Sequence, residues 1–581
     1  MQNDRRQTLP GKPGASLLLL AGLAGLALLP AAPAALQAQA RPSSGAAATS
    51  ATDAAAARID RASLEGPIRF LSDDLLEGRG PASRGDALTQ LYLATTLEYL
   101  GFEPGAGDGG YVQPFDVVGI TAQVPDTWQF RKGGQTLALR NSDQFIAASG
   151  VQNEKSTIRD AEVVFVGYGI QAPEHNWDDY KGADLKGKVL LMLNNDPDWD
   201  PKLFEGNRRL YYGRWTYKYE SAARQGAAGA IIIHTTPSAG YGWQVVQNSW
   251  TGEQFELPAE GAPRIQVAGW ATEQGARELA KLAGQDLDKL IQQARSRDFK
   301  PVPLGVTTSL ELTNKISRVK TANVAGLLPG SDPTLKDEVV IYTAHHDHLG
   351  IGKADADGDQ TYNGAMDNAA GTAQVLAIAR AFAALPERPK RSILFLFVGA
   401  EEQGLLGSEY YARNPTFPPG RIAANINFDG GNIWGRTEDL TFIGMGKSSL
   451  DKVVQSLAAR QGRKVVGDQF PDRGSFYRSD QFAFARIGVP AIYLDAGTRF
   501  RGKPENWGKE RMEEYEAEHY HQPSDELEPG WSYEGMIEDA QLGFFAGLEV
   551  ANNDQLPAWN PGDEFEAARK EALAKVSGGA R

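Results

Sequence analysis

The sequence predicts an α/β protein in which a mostly parallel central sheet carries helices and is interrupted by an inserted β-rich domain. From about residue 316 onward, apolar strand runs such as VVIYTA, SILFLFVG and VPAIYLDAG alternate with helical patterns. Such alternation is typical of a buried parallel sheet. Between about 122 and 312, apolar runs such as EVVFVGYGI and KVLLMLNN alternate instead with Gly- and Asp-rich turns, which indicates a separate β-rich unit.

The N-terminal forty residues have the pattern of a cleaved signal peptide. Arg5, Arg6 and Lys12 precede an apolar run at 15–29, and small residues end the segment at Ala40. This run is shorter than the roughly 20 residues of a membrane span. An uncleaved anchor is the alternative. The pattern predicts that residues 1–40 are removed and that the mature protein is exported, periplasmic or secreted, with no membrane association.

The remaining chain divides into five predicted parts. Residues 41–57 are a low-complexity linker, and residues 58–121 are the first part of the main domain. Within that part, leucines recur at near-helical spacing from 86 to 101. The inserted domain spans 122–312, the main part of the α/β domain spans 313–552, and 553–581 form a polar C-terminal tail.

Composition excludes several function classes. Of the 581 residues, 59 are basic and 73 acidic, which gives a net charge of −14 with no basic block. A nucleic-acid binder that relies on charge is therefore not expected. The chain has no cysteine, so disulfides, thiolate metal sites and cysteine nucleophiles are excluded. A metal ion would have to be held by His, Asp and Glu.

Ligand-type side chains follow three predicted strands. His345 follows VVIYTA, Glu401 and Glu402 follow SILFLFVGA, and Asp429 follows AANINF. Ligands of open α/β sheets bind outside the carboxyl ends of the strands, so these side chains are predicted to meet at one place. Taken singly, each one could equally belong to a solvated loop. Asp367, just before a predicted helix, could be an N-cap.

At these positions the sequence resembles the co-catalytic two-zinc aminopeptidase family, whose relatives include glutamate carboxypeptidase and the transferrin receptor. The matching segments are AHHDHLG, YNGAMDNAAG, FVGAEEQGLLGS, INFDGG, RSDQFAF and YHQPSDE, in the family's order. The middle of the chain, with KGKVLL and YESAARQGAAGAIII, is similar to a protease-associated domain. The resemblance implies a three-layer zinc exopeptidase domain with an inserted protease-associated domain.

The resemblance also implies a metal centre with two zinc ions per chain. The implied ligands are His345, Asp367, Glu402, Asp429 and His521. His345 and Asp429 would hold one ion, Glu402 and His521 would hold the other, and Asp367 would bridge them. His346, His348 and His519 lie close in the sequence to His345 and His521, so they are alternative candidates for the histidine ligands.

Three further roles and one backbone feature follow from the same resemblance. Glu401 would be the general base, Asp347 the carboxylate that orients His345, and Tyr520 a hydrogen-bond donor to the oxyanion. The peptide bond after Asp367 would be cis. The residue set matches the chemistry of peptide hydrolysis, which needs an activated water, a polarised carbonyl and a proton for the leaving amine.

We therefore expect an exported zinc aminopeptidase that removes N-terminal residues from peptides. A zinc carboxypeptidase or dipeptidase of the same scaffold is the first alternative. It would need a cation for the substrate carboxylate, for which Arg473, Arg478, Arg499 and Arg501 are candidates by neighbourhood. A glutaminyl cyclase and a non-catalytic, receptor-like binding protein are further alternatives. The expected partner is a peptide, with no nucleic acid, and no sequence feature specifies an oligomeric state.

Overall fold

The computed structural model describes residues 50–578. The predicted signal segment 1–40 and the first part of the predicted linker, 41–49, lie outside the described residues. From Ser50 onward the chain is one compact unit.

Within the described range, the chain forms 21 strands. They are β1 Glu103–Pro104, β2 Val112–Gln123, β3 Thr127–Lys132, β4 Gln135–Arg140, β5 Phe145–Ser149, β6 Lys155–Phe165, β7 Gln171–Ala172, β8 Trp177–Asp178, β9 Val189–Leu193, β10 Gly229–His234, β11 Glu253–Glu256, β12 Val267–Thr272, β13 Val302–Leu328, β14 Val339–His345, β15 Gly350–Ile351, β16 Thr361–Tyr362, β17 Ser392–Val398, β18 Ile422–Asn427, β19 Asp439–Ile443, β20 Lys464–Val466 and β21 Ala491–Ala496.

The same range contains 15 α-helices. They are α1 Ala51–Ala56, α2 Arg61–Leu71, α3 Arg84–Tyr99, α4 Trp215–Arg224, α5 Thr236–Ala239, α6 Trp243–Ser249, α7 Glu273–Leu282, α8 Leu287–Ala294, α9 Gly371–Ala383, α10 Leu406–Arg413, α11 Leu450–Arg460, α12 Gln481–Arg486, α13 Trp507–Glu518, α14 Glu534–Asn552 and α15 Glu566–Gly578.

The central sheet confirms the predicted α/β class. Its strands run in the order β13, β17, β14, β18, β21, β19, β20. The inner pairs β17–β14, β14–β18 and β18–β21 are parallel, and so is β19–β20. Antiparallel pairing joins β13 to β17 and β21 to β19. The buried strands β14, β17 and β18 have no exposed residue, which explains their continuous apolar runs.

Helices cover both faces of this sheet. Alternate residues of β14 point to opposite faces, so Val340 and Tyr342 pack in one cluster with residues of α2, α9 and α14. Val339 and Ile341 pack in the other cluster, with Tyr411 of α10 and Phe484 of α12. The result is a three-layer arrangement whose sheet is shielded from water on both sides.

Strand β13 belongs to both the central sheet and the segment predicted as an insert. Its first half, from Val302 to Thr313, pairs with β6 and β3, and its second half pairs with β2 and β17. Strands β6, β9, β10 and β12 form a parallel set beside it. A separate hydrophobic cluster lies wholly within this region, around Trp270, Ile232 and Val164.

Two terminal segments differ from their predicted character. Helix α1 lies within the predicted linker 41–57, because its alanines favour helix and Ala55 and Ala56 are buried. In the predicted tail 553–581, Trp559 and Phe565 are buried and helix α15 follows them. Between residues 50 and 578, no helix is long and apolar enough to cross a membrane.

Candidate active site

Three neighbouring parallel strands deliver acidic and imidazole side chains to one edge of the central sheet. His345 is the last residue of β14, Glu401 and Glu402 follow β17, and Asp429 follows β18. The chain turns sharply after β17, where Ala400 has a left-handed backbone with φ of 57°. His345 Nε2 lies 3.3 Å from Asp429 Oδ1 and 3.9 Å from Glu401 Oε2. The predicted meeting of these strand ends is confirmed.

Asp367 lies between two imidazoles. Its Oδ1 is 3.2 Å from His345 Nε2, and its Oδ2 is 3.3 Å from His521 Nε2. The two oxygens of this carboxylate thus face two different imidazole nitrogens, an arrangement that would suit a carboxylate bridging two cations. The bond between Asp367 and Asn368 is cis, as the resemblance implies. His521 belongs to the loop after α13, more than 150 residues along the chain.

Glu402 lies between His521 and His348. Its Oε2 is 3.0 Å from His521 Nε2, and its Oε1 is 2.7 Å from His348 Nδ1. Burial by itself would raise the pKa of Glu402, but His521 and His348 hold it below its usual value. Glu402 is therefore an ionised carboxylate inside the protein.

Glu401 has a different environment although it is the adjacent residue. Burial raises the pKa of Glu401 well above its usual value; His345 opposes this shift, and the carboxylates of Glu402 and Asp429 add to it. A bound cation would favour the ionised form. The pKa values of the adjacent residues Glu401 and Glu402 are therefore shifted in opposite directions.

The two remaining predicted residues are also at the site. The carboxylate of Asp347 accepts the backbone N–H of Glu401 at 3.0 Å, so it fixes the turn that carries both glutamates. The side-chain Oδ1 of Asp347 is 3.7 Å from His345 Nδ1, which is beyond hydrogen-bond distance. The backbone oxygen of Asp347 is 3.2 Å from the same nitrogen. The ring of Tyr520 stacks on the ring of His521. The Tyr520 hydroxyl oxygen accepts a hydrogen bond from Arg478 Nη2 at 3.1 Å.

Several supporting residues were not identified from the sequence. Asp525 accepts the backbone N–H groups of Met366 and Asp367 at 3.0 Å each, which fixes the bridging carboxylate's backbone. Asn368 Oδ1 accepts the N–H of Gly430 at 2.9 Å and so ties the Asp367 loop to the Asp429 loop. Asp525 lies in the motif YHQPSDE, but nothing in its spacing reveals which amides it meets.

Arg79 is a further buried support. Its guanidinium donates to the backbone carbonyls of Leu71, His346, Asn363 and Gly364. Burial lowers the pKa of Arg79 to about 10, with the site's carboxylates opposing the shift. Arg79 thus joins the first part of the chain to two of the loops that carry predicted ligands.

The three competing histidines have three different environments. His346 Nε2 is 3.1 Å from Asp86 Oδ1, away from the ligand set. His519 Nδ1 lies 3.1 Å from Ser524 Oγ and faces none of the predicted ligands. His348, in contrast, contacts Glu402 directly and forms a possible ligand group with Asp367 and Glu402.

The donor set fits divalent metal ions. Glu402 Oε1 and His521 Nε2 are buried and make no hydrogen bond with the described residues, although His521 Nε2 approaches Glu402 Oε2 to 3.0 Å. Atoms that are close without hydrogen-bond alignment are typical of ligands that share an ion. Ligand atoms of His345, Asp367 and Asp429 also lie within 4.8 Å of one another. Imidazole and carboxylate without thiolate suit zinc and similar first-row cations.

A cavity of about 650 Å³ opens onto this cluster. Glu401, Glu402, Tyr520 and His521 line one side. The other side consists of residues from the predicted insert, chiefly the aromatic group Trp215, Tyr219, Tyr241 and Trp250. Arg214 and Arg478 line the cavity as well. A pocket that combines apolar and aromatic side chains with a few convergent charged groups is typical of a substrate site.

Part of the chain is similar to known peptidases. The pattern of peptidase family M28 matches residues 323–544. Leupeptin-inactivating enzyme 1 of Streptomyces exfoliatus is 28% identical over 208 residues, which are 35% of this chain and 43% of that enzyme. Aminopeptidase YwaD of Bacillus subtilis is 28% identical over 418 residues, covering 70% of this chain and 71% of that protein.

Among solved structures, an aminopeptidase from Aneurinibacillus sp. strain AM-1 shares the fold. Its TM-score is 0.51 at 20% identity, over 87% of this chain and 97% of that one. The chain spans less than half the length of the first curated relative, the leupeptin-inactivating enzyme. The matched segment 323–544 contains all eight residues predicted for the site, from His345 to His521. The segment 323–544 is therefore similar to peptidase family M28.

Proposed function

We propose that the protein is a zinc-dependent aminopeptidase that hydrolyses N-terminal residues from peptides. The observation that carries the proposal is Asp367, whose two carboxylate oxygens face His345 at 3.2 Å and His521 at 3.3 Å. The similarity to aminopeptidase YwaD of Bacillus subtilis supports it. The test is metal content together with turnover of amino-acid p-nitroanilides by the purified protein, before and after treatment with a chelator.

The residues divide into holders of metal and movers of protons. His345 and Asp429 would hold one zinc ion, Glu402 and His521 a second, and Asp367 both. When bound, zinc polarises a carbonyl and makes water more acidic. Glu401, which that assignment leaves unligated, takes a proton from the attacking water and passes it to the leaving amine.

Tyr520 stabilises the charge that develops on the carbonyl oxygen. Arg478 donates to the Tyr520 hydroxyl oxygen, so the phenol proton is free to point to the substrate. Burial raises the pKa of Tyr520 well above its usual value, and this keeps the proton in place. The carboxylates of Glu401 and Asp429 offer acceptors for the free α-ammonium of an N-terminal residue.

A carboxypeptidase or dipeptidase is the second candidate, and two arginines favour it. Arg478, one of the four arginines named from the sequence, and Arg214 line the cavity. Neither forms an ion pair with an acidic side chain among residues 50–578. By contrast, Arg473 pairs with Glu516 at 3.4 Å and lies on the ring of Phe470. Hydrolysis of N-blocked dipeptides in preference to amino-acid p-nitroanilides would favour this candidate.

We further propose that residues 122–312 are a protease-associated insert that restricts access to the site. The aromatic side of the cavity, with Trp215 and Trp250, supports this role. Short peptides should enter, whereas folded proteins should not. Comparing cleavage rates for peptides of increasing length tests the proposal.

Export is proposed from the first forty residues alone. Their basic, apolar and small-residue parts follow the order of a cleavable signal. Expression in a bacterium that exports such proteins should yield a mature chain beginning near Arg41. N-terminal sequencing of the purified protein checks this, and a retained leader would contradict it.

A further inference from the structure

One short helix of the inserted segment reaches the proposed metal ligand His521. Helix α6 ends at Ser249, whose Oγ lies 2.8 Å from His521 Nδ1. The preceding residue, Asn248, donates from Nδ2 to the backbone carbonyl of His521 at 3.0 Å. Ring and backbone of the same histidine are therefore both held by residues more than 270 positions earlier in the chain.

His521 depends on such contacts for its orientation. It lies in a loop and has a left-handed backbone with φ of 57°, which is uncommon for a residue other than glycine. Its Nε2 faces Asp367 and Glu402, and Ser249 is the hydrogen-bond partner of its Nδ1 in the described chain. When Nδ1–H donates to Ser249 Oγ, the lone pair of Nε2 is left for a metal ion.

Helix α6 is itself firmly anchored in the insert. Trp243 Nε1 and Gln247 Nε2 both donate to the backbone carbonyl of Ser142, at 2.8 and 2.9 Å. Just past the helix, the ring of Trp250 packs edge-on against the ring of Trp215, with 5.2 Å between the ring centroids. A helix fixed at these points can hold His521 in one position.

We propose that Ser249 is a positioning residue for His521, so that the inserted segment completes the metal centre of the peptidase. The proposal rests on the proposed zinc function. It assigns the insert a role beyond restricting access: the half of the centre that contains Glu402 and His521 depends on it, whereas the half that contains His345 and Asp429 does not.

The experiment compares four variants with the wild-type protein. Ser249→Ala removes the hydroxyl. Ser249→Thr and Ser249→Val have nearly the same shape, and only threonine keeps the hydroxyl. Ser309→Ala is the matched control, an exposed serine of the same region that bonds Asp160 instead. Each protein is dialysed against zinc buffered by a graded chelator, and bound zinc per chain is measured.

Loss of such a hydrogen-bond partner typically costs 10- to 100-fold in metal affinity. We expect Ser249→Ala and Ser249→Val to release one of two zinc ions at a free zinc concentration roughly 10- to 100-fold higher than the wild type does. The second ion should be released as in the wild type. Ser249→Thr and Ser309→Ala should follow the wild-type curve. Thermal unfolding of the zinc-free proteins should coincide, which separates loss of positioning from loss of folding.

Identical zinc release by the wild type, Ser249→Val and Ser249→Ala would overturn the inference and leave the proposed function intact. Equal weakening by Ser249→Thr and Ser249→Val would also overturn it, because the hydroxyl would then not matter. If Ser249→Ala does not fold, the threonine and valine pair decides. A wild-type protein that binds no zinc would overturn the proposed function together with the inference.

Discussion

Adjacent glutamates with opposite electrostatic environments lead to the first prediction. Histidines hold the pKa of Glu402 low, whereas burial raises that of Glu401. Glu401→Gln should therefore keep both metals while kcat falls by about 10²–10⁴-fold, the usual effect of removing a general base. Glu402→Gln should instead weaken one zinc. Metal content and kcat of both variants, measured together, check this, and the opposite pattern would exchange the two roles.

The loop after α13 offers a control built into the sequence. His521 faces Asp367 and Glu402, whereas His519, two residues earlier, contacts Ser524. His521→Ala should lower zinc binding and activity strongly, and His519→Ala should lower both by less than about twofold, as is usual for a surface substitution. Equal losses would show that the ligand is misassigned.

At the scale of single residues, sequence reasoning predicted which side chains meet in the cluster but not which residues support them. The meeting of His345, Glu402 and Asp429 could be predicted because strand ends of a parallel sheet converge. Arg79, Asp525 and His348 could not, because their partners are backbone groups or side chains that only the folded chain brings near. The positions of carbonyl groups leave no signal in the sequence.

Among the secondary-structure elements, a buried arginine gives the third prediction. Arg79 satisfies four backbone carbonyls, and each buried acceptor left unpaired costs about 1–3 kcal/mol. Arg79→Met should therefore lower the free energy of unfolding by at least about 3 kcal/mol and weaken zinc binding. Arg84→Met, at an exposed position of α3, should change neither. Denaturant unfolding and zinc content together check both variants.

Helix α3 shows how far periodicity predicts an element. The near-helical leucines predicted a helix between 86 and 101, and α3 spans Arg84–Tyr99, where Ser83 caps its first turn. Leu97 is buried as the pattern suggests, but Leu91 is 60% exposed. The spacing identified the helix, but which face would pack depended on β13 and the neighbouring turns, which the sequence does not specify.

For the whole molecule, metal and stability should be linked. If two zinc ions bind only the folded chain, free zinc at 100 times the Kd adds about 2.7 kcal/mol per site at 25 °C. Chelation should thus lower the melting temperature as well as abolish activity, and added zinc should restore both. Thermal unfolding at several zinc concentrations measures this. A melting temperature that is independent of zinc would contradict a metal centre in the folded state.

The insert can also be removed at a point the structure defines. Gln123 of β2 pairs with Thr313 of β13, so an Asn-Gly turn between them replaces 124–312 by a two-residue hairpin. With saturating zinc, this variant should cleave long peptides faster relative to short ones than the full chain does. Unchanged length selectivity in a folded variant would contradict the access role.

Strand β13 runs without a break from the insert into the central sheet, paired on both sides of that crossing. If the insert moved as a hinged cover, the chain would need a flexible joint at this crossing. Rotation of the insert about that point would break the backbone hydrogen bonds that pair β13 with its neighbouring strands. If the insert restricts access as proposed, this continuity would make it a fixed aperture. We then expect substrates to be selected by size at the entrance, and turnover should not wait for a cover to open.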